Sequence, residues 1–370
     1  MSSSGTTIGG PLLDETLPTG GPSAVVRLKG VCYDVGREML GQNWRPEYDL
    51  VAVGRDLRII RDELHCNAIR LQGRSPERLN DAAKLALELG LEVWFSPELW
   101  DHSPDETVDY LTGASEVAQR LLDEFPGKVV LSVGSELTLF GQGFIPGENV
   151  LERLAHPKLR EVIFDPSTRS AFRAFIDRLA HAARGRFRGK ITYAAVVFEQ
   201  PDWAPFDYVG VDLYRGDPMF DRYTELLQRY STLGKPLVNT EFGCCTFRGA
   251  DRWGGRGWEV VDWNHWPPRL RGNYIYDPSA QANELTALLA LNDRAGVFGT
   301  FVYTFLEPGS GPPPGTDTAS LPKLDFDPDL PRYALVKTFY PEQRLGTTFP
   351  GVAWEPKESF RAVAEYYGRH

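Results

Sequence analysis

The chain has 370 residues, 42% of them hydrophobic and 12% aromatic, a composition that supports one large core or two to three smaller domains. A formal net charge of −10 leaves no general basic face and argues against a nucleic-acid or anionic-membrane partner. No stretch has the length of a membrane span. The four cysteines, Cys32, Cys66, Cys244 and Cys245, form no Cys-x-x-Cys or other metal spacing, so a reduced cytoplasmic protein with no metal or cofactor is expected.

The first ten residues have neither a basic nor a continuous apolar region, so they do not read as a secretory signal. Residues 1–23 are rich in Gly, Ser, Thr and Pro and read as a disordered tail ahead of a domain spanning 24–370. A first strand is expected from Val25 to Val31, ending near Tyr33. A helix over 48–64 follows, with Leu50, Leu57, Ile60 and Leu64 at helical spacing. Ala68–Leu71 is the second strand and Pro76–Leu89 the second helix, closed by Gly90. Leu91–Phe95 is the third strand, leading to Glu98 and Trp100, and a helix over 105–125 precedes a fourth strand that ends at Glu136. After a long loop come a helix over 167–183, a fifth strand from Ile191 to Phe198 tipped by Glu199, and a sixth from Tyr208 to Tyr214. A helix over 219–231, a seventh strand carrying Glu241, a helix from Ala280 to Arg294, an eighth strand from Val297 to Phe305 and a helix over 357–367 complete the chain. The residues 182–190, rich in arginine, read as a helix end and its exit loop rather than a binding patch.

Eight strand and helix alternations imply a parallel sheet closed into a single (β/α)8 barrel of the α/β class, with a long insertion after strand seven. In such a barrel the C-terminal tips of all strands face one mouth. Those tips supply Tyr33, Arg70, Glu98, Glu136, Glu199, Tyr214, Glu241, Tyr303 and Glu307. Glu136 and Glu241 each end a run of aliphatic and β-branched residues, so both carboxyls are held at the mouth by buried strands. Two carboxylates delivered from different strands suit acid/base and nucleophilic chemistry on an acetal. Either could instead pair structurally with an arginine.

The order of motifs resembles the superfamily of retaining (β/α)8 glycoside hydrolases related to cellulases and β-mannanases, over roughly residues 25–370. Lys235-Pro236-Leu237-Val238-Asn239-Thr240-Glu241-Phe242-Gly243 is similar to its strand-seven signature. Asn67-Ala68-Ile69-Arg70 resembles the strand-two motif, Asp207-Tyr208-Val209-Gly210-Val211-Asp212-Leu213-Tyr214 resembles strand six, and Trp354-Glu355-Pro356-Lys357-Glu358-Ser359-Phe360 resembles the entry to the last helix. The resemblance implies Glu136 as acid/base, Glu241 as nucleophile, Arg70 as the residue that steadies it, Tyr214 beside it, and a carbohydrate or glycoside as substrate. Three positions depart from the pattern. Ser135 stands where the family has an asparagine that bonds the sugar 2-hydroxyl, Tyr303 where it has a strand-eight tryptophan, and Glu98 and Trp100 where it has a strand-three histidine.

Glu98, Glu199 and Glu307 are surplus acids that fit either sugar hydroxyls or arginine partners. The segment 244–279 holds Trp263, Trp266 and eleven further aromatic, arginine or histidine residues, and reads as a lid or subsite wall or else as an oligomer contact. Glu307 to Gly315 reads as a mobile rim. His102 and His265 read as hydrogen-bonding or surface residues. Three functions compete on these residues: a retaining glycoside hydrolase acting on a small β-glycoside or short oligosaccharide, a non-hydrolytic acid/base enzyme such as a dehydratase or transferase on a non-sugar metabolite, and a binding protein that has lost catalysis.

Overall fold

The computed structural model describes residues 26–263, 265–307, 324–339 and 345–370. The expected tail at 1–23 and the run 308–315 lie outside them. Eight parallel strands close into a barrel: β1 Leu28–Asp34, β2 Ala68–Gly73, β3 Glu92–Pro97, β4 Val129–Ser135, β5 Lys190–Val196, β6 Val209–Asp212, β7 Leu237–Phe242 and β8 Gly299–Val302. Each strand pairs with its sequence neighbours, and β8 returns to β1 with Leu28 opposite Gly299.

Strand runs without alternation form here because both faces are covered. One face meets the helices, and the other fills the lumen with Leu28, Cys32, Ala68, Trp94, Val130, Tyr208, Val238 and Phe301. The Trp94 ring lies 5.1 Å from Tyr208 and 5.0 Å from Phe301, so aromatic side chains plug the lumen. Gly30 leaves room for this plug, since a Cβ there would meet Phe301 Cδ1 at 2.4 Å. Gly30→Ala should cost about 1–3 kcal/mol by overpacking, read as a lower urea midpoint with an unchanged slope. An unmoved midpoint would mean that the ring swings aside freely.

The outer helices are α1 Leu50–Asp62, α2 Pro76–Glu88, α3 Pro104–Glu124, α4 Pro166–Arg184, α5 Tyr223–Ser231, α6 Pro278–Arg294 and α7 Glu358–Arg369. Their starts follow the capping chemistry of the sequence. Ser103 and Glu106 form a reciprocal capping box ahead of α3, with Pro104 in its first turn, and Asp165 caps α4 through the N–H groups of Ser167 and Thr168.

The barrel differs from eight full repeats in one place. No helix lies between β5 and β6, where residues 197–208 form turns packed through Trp203 and Phe206. The loop after β4 instead carries short helices at Leu137–Phe140, Val150–Leu154 and Leu159–Phe164. The segment after β7 builds a core of its own, in which Cys244, Cys245, Phe247, Ala250, Val260 and Val261 pack with Leu330 and Tyr333. All four cysteines are buried and free. No described helix is long and apolar enough to cross a membrane.

Candidate active site

Both glutamates sit just past a β-bulge. On β4 the pairs Ser132 with Thr192 and Ser135 with Ala194 set three residues against two of β5. On β7, Asn239 pairs with Val211 and Glu241 with Asp212, which leaves Thr240 as the extra residue. A bulge breaks the period of two, so consecutive side chains can turn toward the same site. Here Ser135 and Thr240, each next to a glutamate, both reach Asp212.

Glu241 receives three donors. Arg70 Nη1 reaches its Oε2 at 3.1 Å, Gln72 Nε2 reaches the same oxygen at 3.2 Å, and the Tyr214 hydroxyl donates to Oε1 at 2.9 Å. Arg37 Nη2 stands 3.8 Å from Oε2. Arg70 is fully buried in the lumen and also bonds the Thr240 carbonyl at 2.9 Å and Asp212 at 3.3 Å. A buried guanidinium shared among acceptors in this way fixes the geometry of the carboxylates around it.

Glu136 has a different environment. Its carboxyl takes no hydrogen bond or ion pair from a described residue, and its backbone is left-handed at φ 48°. Burial, and then the charges of Asp212, Glu241 and Glu199, hold its carboxyl well above the usual range, with Arg70 opposing. The left-handed conformation costs on the order of 1 kcal/mol for a residue other than glycine and is held by its surroundings. The Glu136 N–H donates to the Ala194 carbonyl at 2.9 Å, and its own carbonyl accepts from Leu139 and Phe140.

The remaining mouth residues cluster around Arg37. Its Nε lies 3.0 Å from Glu98 Oε2, and its Nη1 donates to the Tyr303 hydroxyl at 3.0 Å. The guanidinium faces the rings of Trp44 and Trp100 at 5.8 and 5.5 Å, and Trp100 stacks on Phe140 at 4.3 Å. Burial raises Glu98 to about 6 despite Arg37 and Arg70, and Gln72 donates to its Oε1 at 3.0 Å. Tyr303 and Tyr214 pack edge to face on Tyr333, which follows β8 and ties the segment after β7 to this wall of the mouth by accepting from the Gly257 N–H at 2.9 Å and donating to the Gly254 carbonyl at 2.6 Å.

Five expected site residues lie elsewhere or act otherwise. Tyr33 points to the helix layer, where its hydroxyl donates to Asp56 at 2.7 Å. Glu199 clasps the turn after Glu136: its Oε1 accepts from the Thr138 N–H at 2.8 Å and from the Thr138 hydroxyl, and its Oε2 accepts from Tyr193 at 2.9 Å and the Val196 N–H at 3.1 Å. Glu307 accepts from the Tyr333 N–H at 2.9 Å and anchors the segment after β8. Trp263 and Trp266 are 43% and 55% exposed and share no hydrogen bond or ring contact with the glutamate cluster. His102 and His265 each bond a backbone carbonyl two residues away.

The cluster also contains residues outside the expected set, namely Arg37, Gln72 and Asp212. Gln72 and Asp212 stand two residues from Arg70 and Tyr214, so the strand period places each on its neighbour's face. Arg37 lies in the loop after β1 and carries no such signal.

Burial raises Glu199 to about 7 against the pull of its four donors, and Asp212 to about 6. The folded state therefore keeps protons that the unfolded chain releases above its ordinary carboxyl range. Their stabilisation is complete below about pH 4 and is lost as pH rises through about 6 to 7, with Glu199 contributing up to roughly 3 kcal/mol. Urea midpoints should accordingly fall between pH 5 and pH 8. A rise over that window would show that Glu199 is ionised inside the fold.

No protein-family model and no curated protein matches the sequence. Solved structures do match in fold. A GH113 beta-1,4-mannanase aligns at a TM-score of 0.58 and 12% identity over 93% of this chain and 99% of that one. The GH113 beta-mannanase of Alicyclobacillus acidocaldarius aligns at 0.56 and 14%, over 93% and 98%. A β-glucuronidase from Ruminococcus gnavus aligns at 0.53 and 15%, over 92% of this chain and 49% of that one. The likeness is one of the (β/α)8 barrel.

Proposed function

We propose that the chain is a retaining glycoside hydrolase acting on a small β-glycoside or short β-linked oligosaccharide. The observation that carries this reading is the asymmetry of the two glutamates. Glu241 faces Arg70, Gln72 and Tyr214, an arrangement suited to an anionic nucleophile, while Glu136 is held as an acid by burial and neighbouring negative charge. Glu241 attacks the anomeric carbon as Glu136 protonates the departing oxygen. Water then replaces the enzyme oxygen at that carbon as Glu136 takes its proton, which restores both groups and retains configuration. The mannanase and glucuronidase activities of the fold relatives add support for a carbohydrate substrate.

A second reading rests on Ser135. Its hydroxyl donates to Asp212 at 2.8 Å, so its proton is committed inside the protein rather than offered to a sugar 2-hydroxyl. That favours either a substrate recognised without this contact or the non-hydrolytic acid/base alternative. Incubation with a panel of aryl β-glycosides and matched 2-fluoro sugars decides between them. Labelling of Glu241, seen as a peptide mass shift, is expected; no turnover and no labelling across the panel would favour non-hydrolytic chemistry.

A further inference from the structure

The side chain of Asp212 has no exposed surface, yet it touches the supports of both glutamates. Its Oδ2 accepts from the Ser135 hydroxyl at 2.8 Å, and its Oδ1 accepts from the Thr240 hydroxyl at 2.7 Å and from Arg70 Nη1 at 3.3 Å. Ser135 and Thr240 are the residues immediately before Glu136 and Glu241. Both lie in the bulged stretches of β4 and β7, where the extra residue lets neighbouring side chains turn to one place. Arg70 continues the chain of contacts from Asp212 to Glu241 itself.

We propose that Asp212 is a positioning residue: one carboxylate on β6 ties together the tips of β4 and β7 by bonding the residue that precedes each glutamate. Its negative charge also favours the proton on Glu136. The inference rests on the hydrolase reading for its purpose and on the hydrogen bonds alone for its geometry. Sealed from solvent, Asp212 cannot contact a substrate and acts only through Ser135, Thr240, Arg70 and the field it casts. A carboxylate bonded on both oxygens cannot turn, so it fixes the relative position of two strands that must hold their glutamates to within a fraction of an ångström for double displacement.

Other charges bear on the same point. Around Glu136 they are Asp212 from β6, Glu241 from β7 and Glu199 from the turn after β5, opposed by Arg70 from β2. Around Asp212 they are Arg70 and Glu241. Cys32 and Tyr214 also face it, and burial keeps the thiol and the phenol neutral. Asp212 leads the charges acting on Glu136, so neutralising it is the substitution that should move Glu136 furthest.

The test is a carboxyl titration by NMR on full-length protein carrying ¹³C at the glutamate side-chain carboxyls, with the Glu136 signal assigned by its loss in Glu136→Gln. In Asp212→Asn the Glu136 midpoint should fall by about one pH unit or more. The alkaline limb of kcat/KM on an aryl glycoside should move down with it, whereas a purely structural loss lowers the rate equally at every pH. An unmoved Glu136 midpoint in folded Asp212→Asn overturns the proposal. If Asp212→Asn does not fold, Ser135→Ala cuts one arm and leaves the charge. The midpoint of Asp212 itself, followed with ¹³C-labelled aspartate, should then rise by about one unit, and kcat should drop about tenfold with KM little changed. An unmoved Asp212 midpoint in Ser135→Ala overturns it equally. The titrations need no substrate, so failure of the hydrolase reading shows in the glycoside panel and failure of the clasp shows in the midpoints.

Discussion

Glu241→Ala should abolish turnover, with a loss on the order of 10⁴-fold or more, because a double displacement without its nucleophile has no first step. Sodium azide should restore activity and yield the glycosyl azide of inverted configuration. The structure gives the reason. Truncation empties a space still lined by the Arg70 guanidinium, the Gln72 amide and the Tyr214 hydroxyl, the groups that donate to Glu241 in the intact protein. A small anion placed there replaces the lost carboxylate in charge and in hydrogen bonding, and it attacks the same face of the sugar. The azide stays on the product because no second displacement follows. Product configuration, read by NMR, is the measurement. Wild-type turnover in this variant on the true substrate would dispose of the two-carboxylate reading altogether.

The barrel was legible because its signal is long-range and redundant. Eight apolar runs with turn or helix signals between them specify a parallel closed sheet even though several ends shift by a few residues, as for β1, expected at 25–31 and found at Leu28–Asp34. The missing helix between β5 and β6 shows the limit, since Trp203 and Phe206 cover that face from a turn instead. At the site, residues at a strand tip join the cluster around Glu241 where the strand period also turns them inward. Arg70 and Tyr214 satisfy both conditions. Tyr33 satisfies only the first, because the lumen residues of β1 are Leu28 and Cys32, which leaves it facing Asp56 behind the sheet.

Other features depend on geometry that a single sequence does not encode. The β7 bulge that turns Thr240 onto Asp212 has no glycine to mark it, and Gly134 in the β4 bulge beside Ser135 reads equally as an ordinary residue of a buried strand. Glu199 lies past the end of β5, and the turn at 197–199 folds its carboxyl back onto Tyr193 and Thr138 rather than forward into the mouth. Arg37 is fixed by Trp44 a little further along its own loop and by partners from two distant segments, Glu98 with Trp100 and Tyr303, which its neighbours in sequence do not disclose. The aromatic segment after β7 divides into an interior part that meets Tyr214 and Tyr303 and an exposed part bearing Trp263 and Trp266, a division that composition alone does not show.

Glu136→Ala should behave in the opposite way to Glu241→Ala, because it removes a proton donor and leaves the nucleophile in place. Glycosides with poor leaving groups should slow by about 10²–10⁴-fold, the usual worth of general acid catalysis, while dinitrophenyl glycosides, whose phenolate departs unprotonated, should still glycosylate the enzyme rapidly. Hydrolysis of that intermediate then stalls, since the same carboxyl activates the water. Azide needs no base, so it should release the sugar as the azide of retained configuration. The pH profile provides an independent check. Intact protein should lose kcat/KM on the alkaline side as Glu136 gives up a proton that burial, Asp212 and Glu241 hold above the ordinary range, and the variant should lose that limb entirely. Retained azide from Glu241→Ala together with inverted azide from Glu136→Ala would exchange the two roles, and the donors on Glu241 would then have to serve an acid rather than a nucleophile.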